Sequence, residues 1–450
     1  MRDWEASDLA ARAGARLLAG GSSAGGPLRA VIDSRAIEPG DLFVGLRGER
    51  DDGGRFANQA IEAGAWGVMV GPHFASRVAA GGGAVLEAQY PLRALQSLAH
   101  AWRQELPAKV VAITGSTGKT STKDILAALL ASARRTAASP GNYNTESGLP
   151  LAILAAPADT EVLVLELGMR GAGQIAELAA ISQPDVGVIT NIGPAHLEQL
   201  GSLEAIAAAK AELLAALPDD GAAVIPADEP LLDPYLPARA ALIRFGPGGD
   251  VSISGSDRDG VEVDVFGERS IIEPGFRESH LLVDLAAAVA AARVLGVTLP
   301  ESIDVAFSGL RGERVVLAGG LTIINDCYNA NPMSMRAALE QLGGDSSAVR
   351  RVAVLGDMLE LGRGSEDYHR QLGEQATDAR VLILITVGPL AELAGETFLG
   401  GEHFHARDAE QAANILDPLV GRGDVVLVKG SRGVGLEQVA RRLALLRAGT

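Results

Sequence analysis

The chain has 450 residues, 47% of them apolar and 21% charged, which excludes wholesale disorder; at about 150 residues per domain it predicts three domains. A net charge of −17 repels a phosphate backbone and excludes a general nucleic-acid binder. The single cysteine, Cys327, excludes an internal disulfide framework and any Cys-based metal cluster.

Acids occupy the start, MRDWEASDLAARAG, where a signal peptide needs a basic segment followed by an apolar one. No apolar run reaches the roughly 18 residues a membrane span requires. A cytoplasmic, soluble α/β protein without membrane or nucleic-acid partners is expected. Short Val/Ile/Leu runs alternate with Ala/Leu-rich helical patterns, the mark of parallel sheets with crossover helices. Strands are predicted at 109–114, 162–167, 186–191, 352–356, 381–386 and 425–428. A helix stopping at Pro107 sets one boundary, and a composition shift near Leu310-Arg311-Gly312 sets another. The expected domains are 1–106, 107–310 and 311–450. The Gly/Asp-rich segment Phe245–Ile272 reads as a β-hairpin decorating the middle one, and the Ala-rich stretch Leu285–Leu295 as a buried helix.

The strand KVVAIT runs into GSTGKTST and then a helix. Glycines let the backbone N–H groups of Gly115, Ser116, Thr117, Gly118 and Ser121 wrap an anion at a helix N-terminus. Lys119 would neutralise the β- and γ-phosphates of a nucleotide, and the Thr120 hydroxyl would ligate Mg²⁺. Ile113 stands where the general phosphate loop has its first glycine, so this is a shortened variant. Further along, Glu166 ends a strand beside a glycine turn, and a carboxylate at such a mouth is costly unless it meets a cation. His196 follows another strand end, and Lys210 lies on a mostly apolar helix face.

Together TGSTGKTST, GNYNTESGLP, LELGMRGAGQIAEL and NIGPAHLEQLGSLEAIAAAKAEL resemble the central ATPase domain of the Mur ligases, amide-bond-forming enzymes of peptidoglycan precursor synthesis. The resemblance covers essentially the whole chain and implies a smaller N-terminal α/β domain binding a UDP-substrate, a central P-loop-type ATPase domain with a parallel sheet, and a C-terminal Rossmann-like domain for the amino substrate. It implies ATP as substrate and two Mg²⁺ ions. Lys119 would grip the phosphates, Thr120 and Glu166 would hold one ion, and His196 with an N-carbamylated Lys210 would serve the other. Asn142 and Asn144 would contact the γ-phosphate and substrate, with Thr145 where the family carries a second Asn.

The stretch DSRAIEPGDLFVGLRGERDDGGRF resembles the family's UDP-sugar-binding domain. Ser34 and Arg35 would lie near uridine and pyrophosphate, with Arg47 adding charge; Gly54 stands where the family often has His. NDCYNANPMSMRAAL, VAVLGDMLELG and LVKGSRGVGLEQVA resemble the branch that joins D-alanyl-D-alanine to UDP-N-acetylmuramoyl-tripeptide. By that resemblance Asp326, Tyr328 and Asn329 approach the nucleotide, Arg314 lies beside the γ-phosphate, and Asn331 serves the substrate. Lys429 and Arg432, at a strand end on a glycine loop, suit a substrate carboxylate or phosphate. His280 would lie near adenine, with Leu281 and Asp284 replacing expected Asn residues. Cys327 reads as packing, and a monomer is expected. The competing readings are another Mur-type or folylpolyglutamate-type ligase, or a nucleotide-dependent switch; a switch needs one Mg²⁺ and no carbamylated lysine.

Overall fold

The computed structural model describes residues 1, 3–20, 25–48, 51–78, 82–256, 260–317 and 319–448. Among these, the strands assemble into three sheets. The first holds β1 (Arg16–Gly20), β2 (Ala30–Val31), β3 (Leu42–Val44), β4 (Gly67–Val70) and β5 (Ala84–Glu87) in the order β1-β5-β4-β3-β2. It is parallel except at the β1–β5 edge. After β3 the chain doubles back tightly. A Cβ on Gly45 would stand 2.7 Å from the Gly54 nitrogen, and one on Gly54 2.3 Å from the Phe74 ring. Position 54 therefore has no room for the histidine of the resembling motif.

The central sheet contains β6 (Lys109–Thr114), β7 (Thr136–Ala138), β8 (Val162–Glu166), β9 (Val186–Ile189), β10 (Ala222–Pro226), β11 (Ala241–Phe245), β12 (Val251–Ser256), β13 (Val261–Val265) and β14 (Glu268–Ile272). Their order is β14-β13-β12-β11-β10-β9-β6-β8-β7. Neighbours from β7 to β12 run parallel, and β13 and β14 follow antiparallel. The hairpin expected as a decoration is thus continuous with the central sheet, because β12 pairs with β11 as well as with β13; residues 257–259 of that segment lie outside the described residues. Since β8 and β9 flank β6 on opposite sides, the connections diverge at the carboxyl ends of these three strands, where open α/β sheets bind ligands.

Alternation along the strands divides two core layers. Val110, Ala112, Leu163 and Leu165 share one with Trp4, Leu42, Trp66, Leu95 and Leu98, so the N-terminal and central units have a continuous apolar core. The helix Pro91–Glu105 bridges them, with Trp102 Nε1 donating to Ala156 O at 3.1 Å and Arg103 Nε to Ser182 O at 3.0 Å. Val111, Ile113, Val164 and Val188 face the other layer. There the loop helix Lys119–Ala131 packs on Ser279–Val294, whose residues 284–292 are all buried.

The third sheet comprises β15 (Glu313–Val316), β16 (Thr322–Asp326), β17 (Arg351–Gly356), β18 (Val381–Val387), β19 (Glu402–Ala406) and β20 (Val425–Lys429), ordered β15-β16-β20-β17-β18-β19. It is parallel apart from β15. Its apolar clusters are its own. Contacts it makes with the central unit include polar ones: Gln341 Nε2 donates to Glu278 Oε1 at 3.1 Å and Asn331 Nδ2 to Ser116 O at 3.4 Å.

Candidate active site

The segment after β6 is shaped by its glycines. Gly115 has φ +152° and Gly118 φ +78°. A Cβ at 115 would meet Thr190 Oγ1 at 1.8 Å, and one at 118 would meet Asp284 Oδ1 at 2.2 Å, so both positions exclude a side chain. The loop is then clamped from the end of β9. Thr117 N donates to Asn191 Oδ1 at 3.0 Å, and Asn191 Nδ2 to Thr117 Oγ1 at 2.8 Å. Ser116 Oγ donates to Gly193 O at 2.9 Å. Thr190 and Asn191, at the end of the predicted strand 186–191, also hold the loop, a role the sequence pattern did not signal.

Lys119 Nζ donates to Gly115 O at 2.7 Å. Desolvation pulls its ammonium below the usual lysine range against the attraction of Glu166, and the like charge of Arg311 adds to the fall. Thr120 Oγ1 donates to Glu166 Oε2 at 2.6 Å, and Asn144 Nδ2 to Glu166 Oε1 at 2.7 Å. Glu166 is 2% exposed. Thr120 and Glu166, expected together, are in contact, and Asn144 joins them through the same carboxylate. Asn142 and Thr145 are exposed beside it, and Thr145 Oγ1 accepts from Gly148 N at 3.2 Å at the start of the helix Gly148–Ala155.

Lys210 is 2% exposed. Among the described residues its ammonium makes no hydrogen bond or ion pair. Burial holds its pKa well below the lysine range, and the nearby Lys119 charge lowers it further. His196, at φ +59°, pairs through Nδ1 with Glu360 Oε2 at 2.5 Å. Burial depresses the imidazole pKa, with Glu360 opposing and Lys119 and Lys210 contributing. Lys119, His196 and Lys210 thus share one electrostatic neighbourhood. Glu360 was quoted only inside its motif; the contact spans 164 residues of sequence, which no local pattern signals.

Arg314 is a correction. It pairs with Asp345 at 2.8 Å on the outer strand β15. The arginine whose charge reaches Lys119 is Arg311, three residues earlier in the linker. Its guanidinium lies 4.0 Å from the centre of the Tyr328 ring, and Arg432 lies 5.6 Å from it. Lys429 is a second correction. It is 2% exposed and turned inward, donating to Asp326 Oδ2 at 2.6 Å, Asn329 O at 3.1 Å and Asp326 O at 3.5 Å. An ammonium has three donors, and these contacts use them.

His280 lies within electrostatic reach of Asp326 and Lys429. Asn329 Oδ1 accepts from Ala330 N at 2.9 Å, and Asn331 caps the helix Pro332–Gly344. Asp284 is 5% exposed against the loop; burial pushes its carboxyl well above the usual range, the facing Thr122 and Ser121 hydroxyls opposing. Cys327 donates to Val428 O, and burial pushes its thiol up to about 12, so it is no nucleophile. On the N-terminal unit, Arg35 pairs with Asp33 on the surface and the Arg47 backbone forms an antiparallel bridge with that of Asp52; both arginines are exposed, and Ser34, between Asp33 and Arg35 in the chain, is half-buried. β2 touches the helix Gly148–Ala155, which turns this edge toward the central site.

The Mur ligase middle domain model matches residues 113–292. The Mur ligase family catalytic domain model matches 30–103, and the Mur ligase glutamate ligase domain model 310–432. A curated relative from Bacillus subtilis (strain 168), UDP-N-acetylmuramoyl-tripeptide–D-alanyl-D-alanine ligase, is 36% identical over 92% of each chain. MurF from Acinetobacter baumannii superposes with TM-score 0.85 at 29% identity, covering 98% of this chain and 99% of that one. MurF ligase from Thermotoga maritima in complex with ADP gives 0.80 at 31% identity over 94% and 98%. The three matched segments, the shared fold and these identities place the chain in the Mur ligase family.

Proposed function

We propose that the chain is an ATP-dependent ligase that joins D-alanyl-D-alanine to UDP-N-acetylmuramoyl-tripeptide in peptidoglycan precursor synthesis, releasing ADP and phosphate. One observation carries the reading. At the divergence of the central strands a glycine-shaped anion loop, the Thr120–Glu166 contact and a buried, unpaired Lys210 converge, in a chain 36% identical to a ligase of that name.

A peptide carboxylate is a poor electrophile at neutral pH. One of its oxygens therefore takes the γ-phosphoryl group, giving an acyl phosphate and ADP. The free amine of the dipeptide then attacks the acyl carbon and gives up a proton, and the tetrahedral intermediate expels phosphate. The loop amides, the helix N-terminus and Lys119 hold the transferring group; positioning and charge provide most of such catalysis.

Among the described residues no three His, Cys, Asp or Glu side chains form a metal cage. The hard oxygens of Thr120 and Glu166 nonetheless fit magnesium, which takes one or two protein ligands and completes its shell with phosphates and water. Lys210 fits a carbamate: a desolvated amine without an acceptor is nucleophilic toward CO₂, forming an N–C bond, losing a proton and becoming an oxygen ligand. With His196 it would hold the second ion. Bound magnesium supplies charge neutralisation on the phosphoryl oxygens.

Ser34, Arg35 and Arg47 are assigned to the UDP end of the substrate, supported by exposed positive charge on the edge facing the central site. Arg432 and Arg311, both over Tyr328, are assigned to anionic groups entering from the C-terminal side. We set the domain boundaries at 1–106, 107–310 and 311–450, supported by one sheet in each. A cytoplasmic setting follows from the need for ATP and a nucleotide-linked precursor; among the described residues no helix is long and apolar enough to cross a membrane. The test is phosphate release from ATP with UDP-N-acetylmuramoyl-tripeptide, with and without D-alanyl-D-alanine. Release that requires the dipeptide and yields the pentapeptide is expected; release indifferent to it contradicts ligation and favours a nucleotide switch.

A further inference from the structure

The segment after β17 reaches out of the C-terminal unit onto the central one. Its base is held rigidly. Asp357 accepts from Leu390 N at 3.1 Å and Ala391 N at 2.7 Å, His369 Nε2 accepts from Met358 N at 2.9 Å, and Ser431 Oγ accepts from Leu359 N at 2.9 Å. At the tip Glu360 takes φ +64°, a conformation non-glycine residues seldom adopt without compensation. The compensation is on the central unit. Glu360 O accepts from Glu198 N at 3.1 Å, its carboxylate lies 3.8 Å from Arg170 Nε, and its Oε2 meets His196 Nδ1. Gly362, at φ +64°, packs so closely that a Cβ would stand 3.2 Å from Glu198 Cα.

We infer that Glu360 is a positioning residue: from the C-terminal unit it fixes the ring of His196, so that docking of that unit and readiness of the histidine are one event. The chemistry is direct. An ionised carboxylate can only accept, so the shared proton belongs to Nδ1 and the Nε2 lone pair is left as the ring's acceptor. Histidines that ligate metals generally donate their other N–H to a carboxylate or carbonyl in this way. Here the carboxylate comes from a different sheet. The inference rests on the reading of His196 as a magnesium-site residue.

The test compares Glu360→Ala, Glu360→Gln, His196→Ala and the His196→Ala/Glu360→Ala double variant of the full chain. With His196 acting through its partner, Glu360→Ala raises the magnesium concentration for half-maximal ligation about 10- to 100-fold. Glu360→Gln, which keeps an acceptor, recovers most of this, and the double variant is no worse than His196→Ala. In metal-free protein, ring ¹⁵N NMR of His196 shows a single Nδ1–H tautomer that becomes mixed in Glu360→Ala. A Glu360→Ala protein with unchanged magnesium dependence and tautomer, beside an impaired His196→Ala, overturns the inference alone. A His196→Ala protein with unchanged magnesium dependence contradicts the metal-site reading and removes the inference with it. Should Glu360→Ala not fold, Glu360→Asp serves: its shorter side chain withdraws the acceptor, and wild-type magnesium dependence and tautomer in it overturn the inference.

Discussion

Gly118 sits where the loop becomes a helix, at φ +78° with Asp284 Oδ1 2.2 Å from where a Cβ would be. Gly118→Ala therefore meets both a clash and a left-handed penalty of about 1 kcal/mol. ATP affinity and Tm should both fall, and adding Asp284→Ala should recover the part due to the clash but not the rest; unchanged nucleotide binding in the single variant would contradict this packing. Lys210 offers a chemical counterpart. Lys210→Ala should abolish amide formation, with partial return on adding a short-chain carboxylic acid, read as pentapeptide formed; wild-type activity in the variant would remove the carbamate. At this scale the sequence was partly legible. Lys119, Thr120 and Glu166 stand at strand ends and in a loop whose spacing has a physical meaning. Glu360 and Arg311 gain theirs only when distant segments meet, and Arg314 was preferred to Arg311 because a motif reports position in the chain, not that Arg314 is drawn to Asp345 while the charge of Arg311 reaches Lys119.

The strands themselves were read more closely, since a buried parallel strand announces itself as a short apolar run: β6 spans the predicted 109–114, and β8, β9, β17, β18 and β20 fall within three residues of expectation at each end. The antiparallel continuation β12–β14 was seen as a hairpin but not as part of the sheet, because alternation along a strand does not say what its edge pairs with. The β16–β20 pair illustrates a related limit. Asp326 and Lys429 are opposite each other in register at the carboxyl ends of these strands, and their ion pair joins them there at 2.6 Å. Breaking a buried pair leaves an uncompensated charge, so Lys429→Ala should cost about 3 kcal/mol in denaturant unfolding. Lys429→Met with Asp326→Asn should recover most of it. A Lys429→Ala protein of unaltered stability with a raised substrate KM would return the lysine to the substrate site.

For the whole molecule the decisive contrast is between two kinds of junction. The N-terminal and central units share one apolar core across Trp102, Leu98 and Val110. The C-terminal unit follows a linker in which Leu310 has φ +63° and Gly312 φ +70°, and Glu360 and Asn331 meet the central unit through hydrogen bonds. Polar junctions open more readily than apolar ones, so the junction of the C-terminal unit is the one expected to open first. Trp102→Ala, which removes a large buried side chain at about 3–5 kcal/mol, should lower the same thermal transition that ATP raises; separate transitions would contradict a shared core.

The central claim is that the substrate's terminal carboxylate is phosphorylated before the amine attacks. Label both oxygens of that carboxylate with ¹⁸O and follow the released phosphate by ³¹P NMR in the presence of ATP and D-alanyl-D-alanine. The mechanism predicts one ¹⁸O in each phosphate formed, because the oxygen that attacks phosphorus leaves with it. Phosphate free of label, formed alongside pentapeptide, would contradict it.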